Sequence, residues 1–320
     1  MSASKNRQTK NSSSLKNELI KPKIVVILGP NASGKSDLAV EIAKKFNGEI
    51  ISADSRQVYK GMDIGTGKVP IEKRKDGLYY QGIRHYLIDV VSPKKIFTVT
   101  DYQKLAKKAI KEILQKGKLP IICGGTGFYI DALIYEYQFP NVKPQPELRK
   151  KLEKLSTEKL FEKLKKLDPR YAQKIDPHNR RRLIRAIEII TTLKKPMPPL
   201  IKNSPYEILK IGVFRPPKEL KKRIEKRLIK RINEGMIEEV KKLHQNGVSY
   251  KRLYDFGLEY RYISLYLQKK ISYEALIEQL KTKIWQYARR QMIWFKKDKD
   301  IKWIKSKTAA FKLVKKFLKN

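Results

Sequence analysis

Gly29-Pro30-Asn31-Ala32-Ser33-Gly34-Lys35-Ser36 stands between an apolar run, Ile24–Leu28, and a segment with helical patterning, Asp37–Phe46. A glycine at each end lets the backbone wrap a phosphate group, and the amides at the following helix start supply the positive end of a dipole. Lys35 would reach the outer phosphates, and the Ser36 hydroxyl would hold Mg²⁺. A plain glycine-rich turn is the competing reading, and the strand–loop–helix context speaks against it. The eight residues together form the expected cradle for a phosphate or pyrophosphate.

The neighbouring segments extend the same rim. Gly48–Ala53 reads as a short strand that delivers Asp54, and Leu119–Cys123 reads as a buried strand that runs into Gly124-Gly125-Thr126-Gly127. In an open parallel sheet ligands collect at the carboxyl ends of strands, so a phosphate cradle, a carboxylate and a hydroxyl converge there. Taken singly, Asp54 also fits a helix N-cap or a Mg²⁺ ligand, and Thr126 also fits a turn. Strand and helix patterns alternate from Ile24 to about Tyr135, which predicts an α/β fold: a P-loop NTPase-like parallel sheet flanked by helices. Ile83–Val90 and Ile208–Arg215 are expected as further strands. Proline clusters at 139–146 and 195–199 bracket a helical segment, Glu147–Leu193, so an inserted all-helical domain is expected over 139–205. The catalytic core is then 21–138 with 206–320, including long basic helices at Lys218–Asn246 and Tyr273–Lys297. Residues 1–20, rich in Ser, Lys and Asn, read as a disordered basic tail.

Lys and Arg number 73 against 32 acids, a formal charge of +41, and such an excess favours polyanions through counterion release. Because 55 of the 73 are lysine, biased coding explains the overall excess equally well. The insertion is the better evidence: residues 141–205 carry 18 basic and 7 acidic side chains. Arg181, Arg182 and Arg185 can share one side of a helix, as an RNA grip or as a solvated basic face. A single cysteine excludes an internal disulfide framework and suits a reducing compartment; Cys123 reads as a core residue. His85, His178 and His244 are too scattered for a zinc finger. No apolar run approaches a membrane span.

Beyond the P-loop, the chain resembles the tRNA dimethylallyltransferase family, also called tRNA isopentenyltransferases. The resemblance rests on Asp54-Ser55-Arg56-Gln57, His85-Tyr86-Leu87-Ile88-Asp89, Gly124-Gly125-Thr126-Gly127-Phe128-Tyr129, Arg181-Arg182-Leu183-Ile184-Arg185, Gly257-Leu258-Glu259-Tyr260-Arg261 and Tyr287–Phe295, in order over about residues 24–296. It implies transfer of a dimethylallyl group from its diphosphate to N6 of the adenine 3′ of the anticodon, position 37, in tRNAs that read codons beginning with U. Asp54 would be the general base and Thr126 a contact on the adenosine. Arg261 would join the P-loop, Lys35 and Mg²⁺ on the pyrophosphate. Ser55, Arg56 and Gln57 would meet the anticodon loop, with Arg149 and the stretch Arg181, Arg182, Leu183, Ile184, Arg185 on the tRNA. The resemblance further implies a cytoplasmic monomer. Without it, three alternatives stay open: a prenyltransferase acting on free adenine nucleotides, a P-loop kinase of a small metabolite, and an RNA-binding protein with a structural P-loop.

Overall fold

The computed structural model describes residues 21–320, so the expected tail lies outside the described residues. The chain begins with β1 (Lys23–Leu28), α1 (Lys35–Lys45), β2 (Gly48–Ala53), a hairpin of β3 (Glu72–Arg74) and β4 (Gly77–Tyr80), and β5 (Ile83–Tyr86). Next come α2 (Val99–Gln115), β6 (Leu119–Gly124) and α3 (Gly127–Ile134), followed by α4 (Pro146–Glu153), α5 (Thr157–Leu167), α6 (Pro169–Ala172) and α7 (Arg180–Leu193). The strand β7 (Glu207–Val213) returns to the sheet, and the chain ends with α8 (Pro217–Asn233), α9 (Met236–Gln245), α10 (Tyr250–Phe256), α11 (Leu258–Leu267), α12 (Tyr273–Phe295), β8 (Lys302–Ile304) and α13 (Lys307–Lys319).

The sheet runs β3-β4-β5-β2-β6-β1-β7-β8 and is parallel from β5 to β8, with the hairpin added antiparallel at one edge. Strands β1, β2 and β6 are buried on both faces, which is why they read as continuous apolar runs rather than alternating ones. Successive residues still point to opposite faces: Ile24, Val26 and Leu28 pack with α2 and α3, while Val25 and Ile27 pack with α1 and α13. The register pairs Leu28 with both Gly124 and Gly212, and Ala53 with Gly124, so the tips of β1, β2, β6 and β7 end on one level. Gly124 allows that closeness, because a Cβ there would sit 2.1 Å from the Ala53 carbonyl oxygen.

Two further cores complete the molecule. Helices α8–α12 pack around Leu228, Val240, Leu253 and Leu280, and this core takes in Val58, Tyr59 and Met62 from the segment after β2. Helices α4–α7 enclose their own, with Leu152, Leu160, Ala172, Leu183 and Ile187.

The structure departs from the sequence expectation at several ends. β5 stops at Tyr86 and not Val90, because Leu87 and Asp89 turn into left-handed backbone at φ 62° and 55°. The expected helical segment 147–193 is broken into α4–α7, where Ser156, Asp168 and Asn179 each turn a side-chain oxygen onto the amides of the following helix. The helix expected at 218–246 breaks at Gly235, whose φ of 94° caps the start of α9. The hairpin β3–β4, strand β8 and helix α13 have no counterpart in the sequence expectation.

Candidate active site

The P-loop joins β1 to α1 through left-handed backbone at Ala32 (φ 62°) and Gly34 (φ 91°). No side chain caps α1 at Gly34, which leaves its first amides available to an anion. Lys35 extends its Nζ to 3.3 Å from the Pro30 carbonyl; burial lowers its pKa, in keeping with a cation held out of water with no carboxylate bonded to it.

Three arginines that the sequence reading passed over surround this loop. Arg215, just after β7, donates its Nε to the Ser33 carbonyl at 3.1 Å, and Arg223 on α8 donates to the Ala32 carbonyl at 2.8 Å. Arg227, one turn further along α8, donates to the Gly67 carbonyl at 2.9 Å and has no carboxylate partner among the described residues. Burial, aided by the adjacent Arg231, pulls the Arg227 pKa down. The Arg231 charge is already matched by an ion pair with Glu259. A largely desolvated cation without a counterion is costly until an anion arrives, so Arg227 and Lys35 together call for one. Arg223, Arg227 and Arg231 recur every fourth residue, a one-face spacing that the sequence displays and that would have found them.

Asp54 follows the tip of β2. Its Oδ1 accepts the Arg56 amide at 2.8 Å and the Gln57 amide at 3.3 Å, a tight local turn that fixes the carboxylate, while Oδ2 has no bonded partner among the described residues. Thr126 lies opposite: its amide donates to the Ala53 carbonyl and its hydroxyl accepts the Ser55 amide at 3.1 Å. Asp54 and Ser55 open onto a cavity of about 180 Å³ that also exposes Asn31, Arg227 and, on its apolar side, Phe256, Leu258, Tyr260 and Tyr287. Burial and the Asp54 charge push the Tyr287 phenol up to about 12, so it stays protonated at neutral pH. The structure thus brings Lys35, Asp54, Thr126 and the P-loop to one level of the sheet.

Mg²⁺ is compatible with the residues present. Among the described residues no three carboxylate, histidine or cysteine groups converge on one point, and the ion keeps water and phosphate oxygens readily. Ser36, in the first turn of α1, offers the single hard oxygen such an arrangement needs from the protein. Cys123 is a core residue, its buried thiol pushed up to about 11 by desolvation.

Other residues of the expected site have partners within the protein. The Arg261 Nε donates to the Tyr254 carbonyl and its guanidinium stacks 4.3 Å from the Tyr254 ring centroid. Arg56 donates to the Phe256 carbonyl at 2.8 Å, and Gln57 bonds Ser52 and the Gly67 carbonyl, so both side chains are committed within the protein. Arg149 and Arg185 both grip Glu188. Leu183 and Ile184 are 0 % and 8 % exposed, inside the core of the insertion. Their apolar side chains follow the buried face of α7. Arg181 and Arg182 remain exposed, and Arg181 makes an ion pair with Asp255.

The family model described as IPP transferase matches residues 57–298. A tRNA dimethylallyltransferase of Acetivibrio thermocellus is 46 % identical over 290 residues, covering 88 % of this chain and 91 % of its own. The solved tRNA isopentenylpyrophosphate transferase of Staphylococcus epidermidis superposes with a TM-score of 0.67 at 37 % identity, covering 94 % of this chain and 100 % of that one. A eukaryotic dimethylallyltransferase solved while acting on tRNA gives a TM-score of 0.70 at 28 % identity, over 86 % of this chain and 70 % of that one.

Proposed function

The chain belongs to the IPP transferase family, and from that premise we infer that it is a tRNA dimethylallyltransferase whose acceptor is N6 of the adenine immediately 3′ of the anticodon, position 37. The observation that carries the chemistry is the pairing of Asp54, with one oxygen tied down and the other free, with Asn31 of the P-loop and the cation of Arg227 on the same cavity.

The adenine amine is a weak nucleophile because its lone pair is delocalised into the ring. As N6 attacks C1 of the dimethylallyl group, the C1–O bond breaks and its electron pair leaves with pyrophosphate. Asp54 takes the N6 proton through Oδ2 as the C–N bond forms, help typically worth about 10²–10⁴-fold in rate. The growing charge on the leaving group meets preplaced donors: the P-loop amides, Lys35 and Arg227, with Arg215 and Arg223 bracing the loop from outside. Ser36 would hold Mg²⁺, which supplies charge neutralisation on the diphosphate. The aromatic wall at Phe256 and Tyr287 suits an allylic tail and keeps water from it. Thr126, fixed by Ser55, sits where the acceptor adenosine would enter.

A duplex or a stacked loop would hide N6, so the target base must be splayed out of its stack, and the partner is the anticodon stem-loop. Arg181 and Arg182, exposed on α7, would meet its phosphates. In this reading the enzyme works as a cytoplasmic monomer on tRNAs that read codons beginning with U. Among the described residues no helix is long and apolar enough to cross a membrane.

The test is mass spectrometry of nucleosides after incubation of the protein with Mg²⁺, dimethylallyl diphosphate and unmodified tRNA, beside reactions with AMP and with ATP alone. A dimethylallyl mass gain on the adenosine 3′ of the anticodon, absent with AMP, is the expected result. Modified AMP, or ATP turnover without RNA, would move the function to a small-molecule substrate.

A further inference from the structure

Gln291 lies on α12, far along the chain from both strand-tip loops, and touches both. It is 5 % exposed. Its Oε1 accepts the Asn31 amide of the P-loop at 2.9 Å, and its Nε2 donates to the Gly125 carbonyl at 2.8 Å. Asn31 borders the cavity on the diphosphate side, while Gly125 directly precedes Thr126 on the acceptor side. One side chain therefore spans the two halves of the site.

The fit is close on both sides. A Cβ at Gly125 would fall 2.2 Å from Gln291 Nε2, so the loop can approach α12 this closely only as glycine. One turn along, Trp294 plays a parallel part: a Cβ at Gly127 would meet its ring at 2.3 Å, and its Nε1 donates to Asp131 at 3.1 Å. The glutamine carboxamide offers an acceptor and a donor at fixed separation, which is what an amide on one loop and a carbonyl on the other require.

We propose that Gln291 is a positioning residue that sets the distance between the diphosphate cradle and the Thr126 loop, and so controls the alignment of C1 with N6 in the transfer step. The inference rests on the functional reading above, since it needs two substrates held by two loops. Each loop can bind its own ligand without the brace. Only the ternary complex needs both at a set spacing, so the brace acts on turnover more than on either affinity.

The experiment compares the unaltered protein with Gln291→Met, which keeps length and volume but removes both hydrogen bonds. We expect kcat to fall about 10–100-fold, the range for a displacement near 1 Å, with KM for dimethylallyl diphosphate and for tRNA each within about threefold. A second pair keeps the idea testable should Gln291→Met fold poorly. Gly125→Ala drives a methyl against Gln291 and should lower kcat similarly, and the double variant with Gln291→Ala, which removes the obstacle, should be no slower than Gln291→Ala alone. An unchanged kcat, or a loss confined to the diphosphate KM, would overturn the proposal while leaving the tRNA reading intact. No transfer to tRNA by the unaltered protein would overturn both.

Discussion

Arg149 closes a two-pronged ion pair on Glu188, with its Nε and Nη2 lying 2.7 and 2.8 Å from the two carboxylate oxygens. The Glu188 side chain is fully buried in α7, and Arg185 and the Gln145 amide complete its shell. Burial by itself would raise the Glu188 carboxyl; the hydrogen bonds from Arg149, Gln145 and Arg185 outweigh it and bring the pKa down to about 2. Arg149 thus ties α4 to α7, while Arg185 meets Glu188 within α7 and donates to the Val142 carbonyl before α4.

Removing that carboxylate should loosen the insertion. Glu188→Gln is expected to cost about 3 kcal/mol at pH 7, as hydrogen bonds to a charged group are lost. A carboxyl whose pKa falls on folding contributes stability above its unfolded value near 4.5 and loses it as pH drops towards 2. Urea unfolding of both proteins at pH 7 and at pH 3 checks this: the difference between them should shrink at the lower pH. An equal difference at both would show that Glu188 acts by packing alone.

Asp54→Asn preserves the Oδ1 that accepts the Arg56 and Gln57 amides, so the turn should survive. What disappears is proton acceptance. Single-turnover transfer should slow by about 10²–10⁴-fold while tRNA and diphosphate affinities hold. A matching loss of tRNA affinity would recast Asp54 as a binding residue.

The parts of the site that were legible from the sequence are those set by local chain. The loop Gly29–Ser36, Asp54 after β2 and Thr126 after β6 are each fixed by a strand and the few residues that follow it, and the parallel register brings their tips level. What was not legible depends on partners distant in sequence. Arg149 meets a carboxylate 39 residues away, and Gln291 meets a loop amide 260 residues away. Arg261 likewise has a partner its motif does not reveal, the Tyr254 carbonyl on the preceding helix. Gly235 breaks the long basic helix because apolar periodicity carries no record of a left-handed residue in its path.

The two arginines make a paired prediction. Arg227 is an uncompensated cation on the cavity, whereas Arg261 is held on a tyrosine face. Isothermal titration with dimethylallyl diphosphate should show Arg227→Ala weakening binding by about 10–100-fold, the scale of a lost hydrogen bond to a charged group. Arg261→Ala should change it by less than about twofold, in the range of an exposed side chain away from the ligand. The reverse ranking would restore Arg261 to the pyrophosphate.

The ion pair of Arg181 with Asp255 is, among the described residues, the one hydrogen-bonded side-chain contact between helices α4–α7 and the body of the protein. Arg181 is 73 % exposed and Asp255 37 %, so the pair is a surface one and holds weakly. An RNA phosphate carries the same charge as Asp255 and can take its place on Arg181, which makes the carboxylate a competitor for the incoming backbone. Asp255→Asn should therefore tighten tRNA binding, by up to about fivefold for a pair of this class. The slope of log K against log salt should stay the same in Asp255→Asn, because the phosphate contact is made in both proteins, whereas Arg181→Ala should weaken binding and flatten the slope by about 0.7–0.9, the share of one lost phosphate contact. Filter binding across a salt series distinguishes the two effects. If Asp255→Asn left affinity unchanged, Arg181 would not be exchanging its carboxylate for phosphate.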